Sequence, residues 1–362
     1  MSEVGLRKTE LDTPVLWVDL EQLERNITYL AGYFKAAGVS WRPHTKGVKV
    51  PAIAHQAIAA GAMGVTCAKL SEAEVMAAAG MRDVLIANQI VGSHKVARLA
   101  HLQRQADVKV AVDSAANVAE LGAAAEAVGV EIGVVVELDT GMQRAGVAPG
   151  QPALELSRLA HQTPGLRYQG LMTWEGHTRS IADLEERRQA IEQSMRQLTE
   201  SVELCRQAGL PVSIVSCGGS GTYYVAAFHP GVTEIQAGGA MFGDVTYQAW
   251  GVETTPCLFV RAMVTSRPAP DRIIVDAGFK SLPQWAAQPQ PVGLSGVKSM
   301  YMAAEHGILT LAAADATLQV GDALDFIVGY GDATLFLHDH LYGIRNGRVE
   351  VVWAIQGRGK LR

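Results

Sequence analysis

No CxxC pair occurs in the chain, and its four cysteines, Cys67, Cys205, Cys217 and Cys257, lie far apart. That spacing argues against a dense disulfide framework and leaves buried, reduced thiols as the expected state. A basic stripe is missing too: charged residues make up 19% of the chain, the net charge is −5, and Lys and Arg are scattered. A nucleic-acid partner is therefore not expected, whereas a small-molecule ligand is. Apolar runs of membrane-spanning length are lacking, so no membrane role is expected. The opening residues, MSEVGLRK, have no signal-peptide core, which makes the cytoplasm the expected compartment. Low-complexity linkers and repeats at solenoid spacing are also missing, so any domains should pack closely.

What is present is a globular core: hydrophobic residues are 48% of 362, with 37 glycines. After an opening strand over 15–18, strand-like and helix-like segments alternate. Strands are expected over 39–43, 64–67, 84–87, 108–112, 132–138, 168–173, 212–216 and 233–236. Amphipathic stretches over 20–37, 71–79, 115–128 and 181–208 are long enough to be crossover helices. The class is α/β, a (β/α)8 TIM-like barrel. From about residue 255 short β-rich runs replace the alternation, including 258–264, 272–275 and 349–355. They suggest a second, mostly antiparallel β domain. The expected division is a barrel over 20–250, with 1–19 and 251–362 forming the other domain.

In such a barrel, reactive groups follow the carboxyl ends of strands. Lys46, in the run RPHTK over 42–46, comes directly after the first expected barrel strand. An amine there could be joined to the aldehyde of pyridoxal phosphate, although an isolated lysine is more often a surface residue. Gly218-Gly219-Ser220-Gly221-Thr222 offers backbone amides and two hydroxyls to a phosphate, and Gly238-Gly239 offers a second amide cluster. Tight turns need glycine as well, but paired loops after the last two strands match the phosphate corner common to barrels.

Several segments together carry a resemblance. They are Thr13-Pro14, RPHTK (42–46), CAKLSEAE (67–74), ELDTGMQRAGV (137–147), WEGH (174–177), GGSGTY (218–223), EIQAGG (234–239), DAG (276–278) and EHG (305–307). In order and spacing the chain resembles the D-threonine aldolase and D-serine dehydratase group of pyridoxal-phosphate enzymes, which have the alanine-racemase-like fold (fold type III). The resemblance implies Lys46 as the residue carrying pyridoxal 5'-phosphate. It also implies Arg144 reaching the cofactor's phenolic oxygen, a role that suits a fixed guanidinium. An arginine bridging surface carboxylates is the other reading of Arg144. Tyr247 would cap the phosphate, and Gln236 would face the pyridine nitrogen as a neutral amide in place of the racemases' arginine. His177 would help remove a β-hydroxyl proton, against the plainer reading of a hydrogen-bonded structural histidine. A homodimer with its active site near the interface is implied as well.

One departure concerns a metal. The resembled group binds a divalent ion through a His-x-Cys or His-x-Asp pair that precedes a Leu-His-Asp run. Here Tyr330 stands in the histidine's place and Asp332 keeps the carboxylate, ahead of Leu337-His338-Asp339. A phenol, with a reference pKa of about 10, ligates poorly at neutral pH. Any ion at Asp332 should be weakly held magnesium or manganese, and Tyr330 could act as an acid or base instead. The expected activity is a lyase that cleaves the Cα–Cβ bond of a D-3-hydroxy amino acid to glycine and an aldehyde. Elimination of water from a D-hydroxy amino acid is the alternative, racemisation or epimerisation comes third, and a protein that merely buffers the cofactor is the non-enzymatic reading.

Overall fold

The computed structural model describes residues 3–362. The chain divides into two compact units. One comprises Leu30–Lys46, Ile53–Gly238 and Lys360–Arg362, and the other comprises the described residues up to Tyr29, Gly47–Ala52 and Gly239–Gly359.

The first unit is built on an eight-stranded parallel sheet. Its neighbour order is Ser40–Trp41, Glu234–Ile235, Ile214–Cys217, Leu166–Thr173, Ile132–Leu138, Asp107–Val112, Asp83–Gln89 and Val65–Cys67. A parallel bridge from His44 to Thr66 brings the two ends of this order together, with the Thr66 N–H donating to the Pro43 carbonyl at 3.0 Å. Parallel strands need crossover connections, and the helices Leu70–Ala78, Ser93–Leu102, Ala115–Val128, Gln151–Gln162 and Leu184–Gln207 supply them. The apolar run Ile132–Leu138 is buried at every position, as a strand covered on both faces should be. Leu85, Ala111, Val135, Met172 and Ile214, one from each of five neighbouring strands, form a packed layer.

Local sequence explains most boundaries. Ser114 caps Ala115–Val128 by accepting from the Asn117 N–H, and Gly129, at φ 70°, closes it in the left-handed conformation. The helix expected from 181 begins at Leu184, because Asp183 caps it and Ile181 closes a 3-10 turn over Gly176–Ser180. The strand expected over 39–43 is only Ser40–Trp41. Pro43 lacks an N–H, and the chain turns at Thr45–Gly47.

A charge network in this unit is built around the buried Arg42. The fully buried Arg42 guanidinium donates to both Glu234 oxygens, at 3.0 and 3.1 Å, and to Asp83. Lys109 Nζ donates to Asp83 at 2.8 Å and to Asp107 at 2.7 Å. These carboxylates hold the guanidinium well above its ordinary pKa despite burial.

The second unit is a nine-stranded, mostly antiparallel sheet. Val15–Asp19 joins it, antiparallel to Leu258–Ala269 and parallel to His340–Arg345. The run expected over 349–355 forms Arg348–Ala354, paired with His340–Arg345. Trp17 stacks on Phe259 with ring centroids 4.4 Å apart, over a core that includes Leu11, Val15, Ile344 and Val349.

Candidate active site

In the barrel unit, Lys46 sits in the turn Thr45–Gly47 that follows the first strand. The Thr45 hydroxyl anchors this turn by donating to the Thr66 carbonyl at 3.0 Å. Lys46 is half-buried, with its Nζ 5.9 Å from the centroid of the Trp174 ring. The same indole leaves no room for a Cβ at Gly219, so the lysine and the glycine-rich loop share one wall. Trp174 comes from the WEGH run after Leu166–Thr173, and the Arg179 guanidinium lies 5.4 Å from its centroid.

The loop Gly218–Thr222 links the strand Ile214–Cys217 to the short helix Tyr223–Ala226. It is held from below by Glu175, which is fully buried. The Thr222 hydroxyl donates to one Glu175 oxygen and the Gly218 N–H approaches the other at 3.4 Å. Burial raises the Glu175 carboxyl above its ordinary range. Gly218 adopts φ +74°, a conformation costly for other residues. Ser220 and Gly221 stay within this buried loop. At the neighbouring strand end, the position of a Gly238 Cβ falls 2.6 Å from the His44 backbone nitrogen. The Gln236 amide donates to the Ser216 hydroxyl at 2.8 Å, and both side chains are buried.

Arg144 follows the strand Ile132–Leu138. Its side chain is 51% exposed, while its partner Glu137, 3.4 Å away, is only 3% exposed. Gln89 donates to the other Glu137 oxygen at 2.6 Å. Burial raises the Glu137 carboxyl, and Gln89 and Arg144 oppose that shift. Arg144 is thus tethered to a buried carboxylate rather than bridging surface carboxylates. His177 lies in the turn Gly176–Ser180, and Gly141, at φ +129°, passes so closely that a Cβ would sit 2.7 Å from its Nε2. Its Nδ1 is buried and has no hydrogen-bond partner among the described residues. Desolvation lowers the imidazole pKa, partly offset by Asp139, so the ring is neutral at pH 7.

The remaining candidates belong to the second unit. Gly239 runs directly against the Tyr247 ring, with no space for a Cβ. Tyr247 sits in the helix Val245–Ala249, which Asp244 caps by accepting the Tyr247 N–H at 2.9 Å. The Tyr247 hydroxyl donates to Asp332 Oδ1 at 3.3 Å, and the Tyr330 hydroxyl donates to Asp332 Oδ2 at 3.1 Å. Burial raises the Tyr247 phenol well above its ordinary range, which keeps it neutral. Asp332 also backs Gly47, the residue after Lys46: its carboxyl carbon lies 3.0 Å from where a Gly47 Cβ would be.

Sequence reasoning missed Trp174 as a wall and Glu175, Glu137 and Gln89 as supports. Glu175 and Glu137 stand inside the motifs already quoted, but their burial is set by strands distant in sequence. The residues fit pyridoxal phosphate. An amine and a loop of glycines lie against one indole, Gly219 of that loop has no room for a Cβ, and a guanidinium is fixed nearby in sequence to a strand end.

An eight-stranded parallel barrel with a lysine after its first strand and a glycine-rich loop after its seventh, accompanied by an antiparallel β unit, defines the class. The family described as alanine racemase, N-terminal domain, matches residues 18–246, and a putative serine dehydratase domain matches 257–344. A 3-hydroxy-D-aspartate aldolase of Paracoccus denitrificans is 35% identical over 98% of this chain and 94% of its own length. The crystal structure of D-threonine aldolase from Filomicrobium marinum aligns with TM-score 0.97 and 34% identity, covering 100% of both chains. D-threo-3-hydroxyaspartate dehydratase from Delftia sp. HT23 aligns with TM-score 0.87 and 30% identity, covering 96% of this chain and 98% of that one. A cysteine-to-alanine mutant of that dehydratase has been solved in the metal-free form. The chain belongs to the alanine racemase N-terminal domain family, in the branch with these aldolases and dehydratases. Its fold is alanine-racemase-like.

Proposed function

We propose that the chain is a pyridoxal-phosphate-dependent lyase that cleaves the Cα–Cβ bond of D-3-hydroxy amino acids to glycine and an aldehyde. The observation that carries this reading is that Trp174 lies against both the Lys46 amine and Gly219 of the glycine-rich loop. When bound, pyridoxal phosphate supplies the conjugated system that takes up the electron pair left at Cα. Lys46 is the amine that would be joined to it. Backbone amides of Gly219, Ser220 and Gly221, with the Ser220 and Thr222 hydroxyls, would receive the phosphate, as would Gly238, Gly239 and Tyr247. Arg144 would donate to the phenolic oxygen, with Glu137 holding its guanidinium. Gln236, held by Ser216, offers the pyridine nitrogen a neutral partner.

His177 is the proton acceptor for the β-hydroxyl. Desolvation lowers its imidazole pKa and so favours the neutral ring, and its buried Nδ1 has no partner among the described residues. Removing that proton lets the oxygen form a carbonyl as the Cα–Cβ bond breaks, and Cα then takes a proton to become glycine. The relatives named as aldolases support this choice of bond. The protein is further proposed to be cytoplasmic and to work as a homodimer, with 20–250 as the cofactor-bearing part. Active protein that sediments as a monomer would exclude the dimer. Among the described residues no helix is long and apolar enough to cross a membrane.

The test is to incubate the purified protein with D-threonine, D-phenylserine, D-serine and 3-hydroxy-D-aspartate and identify the products. Glycine and an aldehyde are expected. A keto acid with ammonia would replace this reading with the dehydratase, and an L-amino acid would replace it with the racemase.

A further inference from the structure

We infer that Asp332, the carboxylate that would hold a divalent metal ion in the resembled group, is closed by two phenols in this chain, and that the protein binds no such ion there. Both oxygens of Asp332 are taken: Tyr247 donates to Oδ1 at 3.3 Å and Tyr330 to Oδ2 at 3.1 Å. An incoming cation would have to displace two O–H donors and would gain, besides the Asp332 carboxylate, only neutral phenols, which are poor ligands for magnesium or manganese. Tyr330 is held in place by its ring. The Tyr247, Trp250 and Trp285 rings surround it at centroid distances of 5.7, 6.2 and 5.6 Å. Packed this way, the phenol cannot swing aside without losing aromatic contacts.

Other ligating groups of this unit are engaged elsewhere. His338 Nε2 bonds the Ser281 carbonyl at 2.7 Å, and Asp339 pairs with Arg358 at 2.6 Å. Asp244 accepts the Tyr247 N–H at 2.9 Å and the Gly331 N–H at 2.6 Å. Among the described residues no group of three or more His, Cys, Asp or Glu side chains could hold a metal ion. The residues present therefore do not fit the ion. The two phenols satisfy the Asp332 carboxylate with hydrogen bonds, and Tyr330 is the residue that converts a ligand pair into a closed cluster.

The experiment titrates manganese into the purified, cofactor-loaded protein and follows the free ion by electron paramagnetic resonance, a readout that needs no turnover. No binding is expected up to millimolar manganese, and one equivalent bound at micromolar concentration would overturn the inference. Tyr330→His, with circular dichroism to confirm its fold, should bind manganese at least roughly tenfold more tightly than wild type. Asp332→Ala in that background should remove the gain. If Tyr330→His gains nothing, Tyr330 is not what closes the site, and the inference fails. A second readout rests on the proposed lyase activity: EDTA should leave turnover unchanged, and loss of turnover restored by manganese would overturn the inference while leaving the lyase reading intact.

Discussion

At the scale of single residues, the site separates side chains that hold the fold from those proposed to meet a ligand. Arg144 is half exposed and rests on one 3.4 Å contact to Glu137, so its removal should barely affect folding. Arg144→Ala is expected to shift stability by less than about 0.5 kcal/mol. A charge-assisted hydrogen bond contributes about 1.5–3 kcal/mol, so the same variant should weaken pyridoxal phosphate binding by roughly tenfold to a hundredfold. Fluorescence titration of the cofactor beside a urea melt checks both, and a large stability loss with intact cofactor affinity would show that Arg144 is structural. Lys46 has a more direct test. Borohydride reduction of the loaded protein followed by peptide mapping should place the pyridoxyl label on Lys46, and a label on Lys49 or Lys69 would remove it from the role.

At the scale of elements, loops are fixed by close backbone approach. Gly238 passes His44 so tightly that its Cβ would lie 2.6 Å from the His44 nitrogen. Gly238→Ala must push apart two chain segments that end neighbouring strands, and overpacking of this kind costs about 1–3 kcal/mol. Denaturant unfolding should show a lower midpoint with an unchanged slope; an unchanged midpoint would mean that the loop yields freely. The strand Ser40–Trp41 is short, yet Arg42 follows it immediately and joins Glu234 across 192 positions of sequence. Arg42→Ala leaves the buried Glu234 without its guanidinium, and breaking such a pair costs about 3–5 kcal/mol. Urea melts measure this, and a loss under about 1 kcal/mol would show that water reaches the network.

At the scale of the whole molecule, stability should depend on pH through partly buried imidazoles. His177, His229 and His338 all have lowered pKa values, with desolvation the largest cause in each. Below the ordinary value of about 6.5, the unfolded chain takes up protons that these folded imidazoles resist. Their stability is present above that value and is lost as pH falls through the folded values. These three imidazoles by themselves should lower the unfolding midpoint as pH falls from about 7 toward 6, while the Asp244 carboxyl, raised to about 8 by burial, acts with opposite sign over the same range. The buried Glu137 and Glu175 carboxyls, raised from 4.5 by burial, also act with opposite sign. His338→Gln should give a shallower slope over the same range, and an equal slope would remove His338 from this account.

The sequence by itself determined most of the barrel, because most of its strands and several of its helices announce themselves locally. Ile132–Leu138 and Ala115–Val128 match the expected runs, since a continuous apolar stretch and a capped amphipathic stretch are properties of neighbouring residues. Lys46 was legible by its place after a strand, and the glycine loops by their composition. Tertiary structure alone decided what those residues touch. That Trp174 backs both Lys46 and Gly219, that Glu175 holds Thr222 across 47 positions, and that Gln89 reaches Glu137 across 48 all follow from strand order in a curled sheet. The tyrosine at position 330 was visible as a departure, but its hydroxyl bond to Asp332 was not, nor was the second one from Tyr247, 85 residues earlier. Hydrogen bonds of that reach depend on where folding brings distant segments, and no local pattern encodes them.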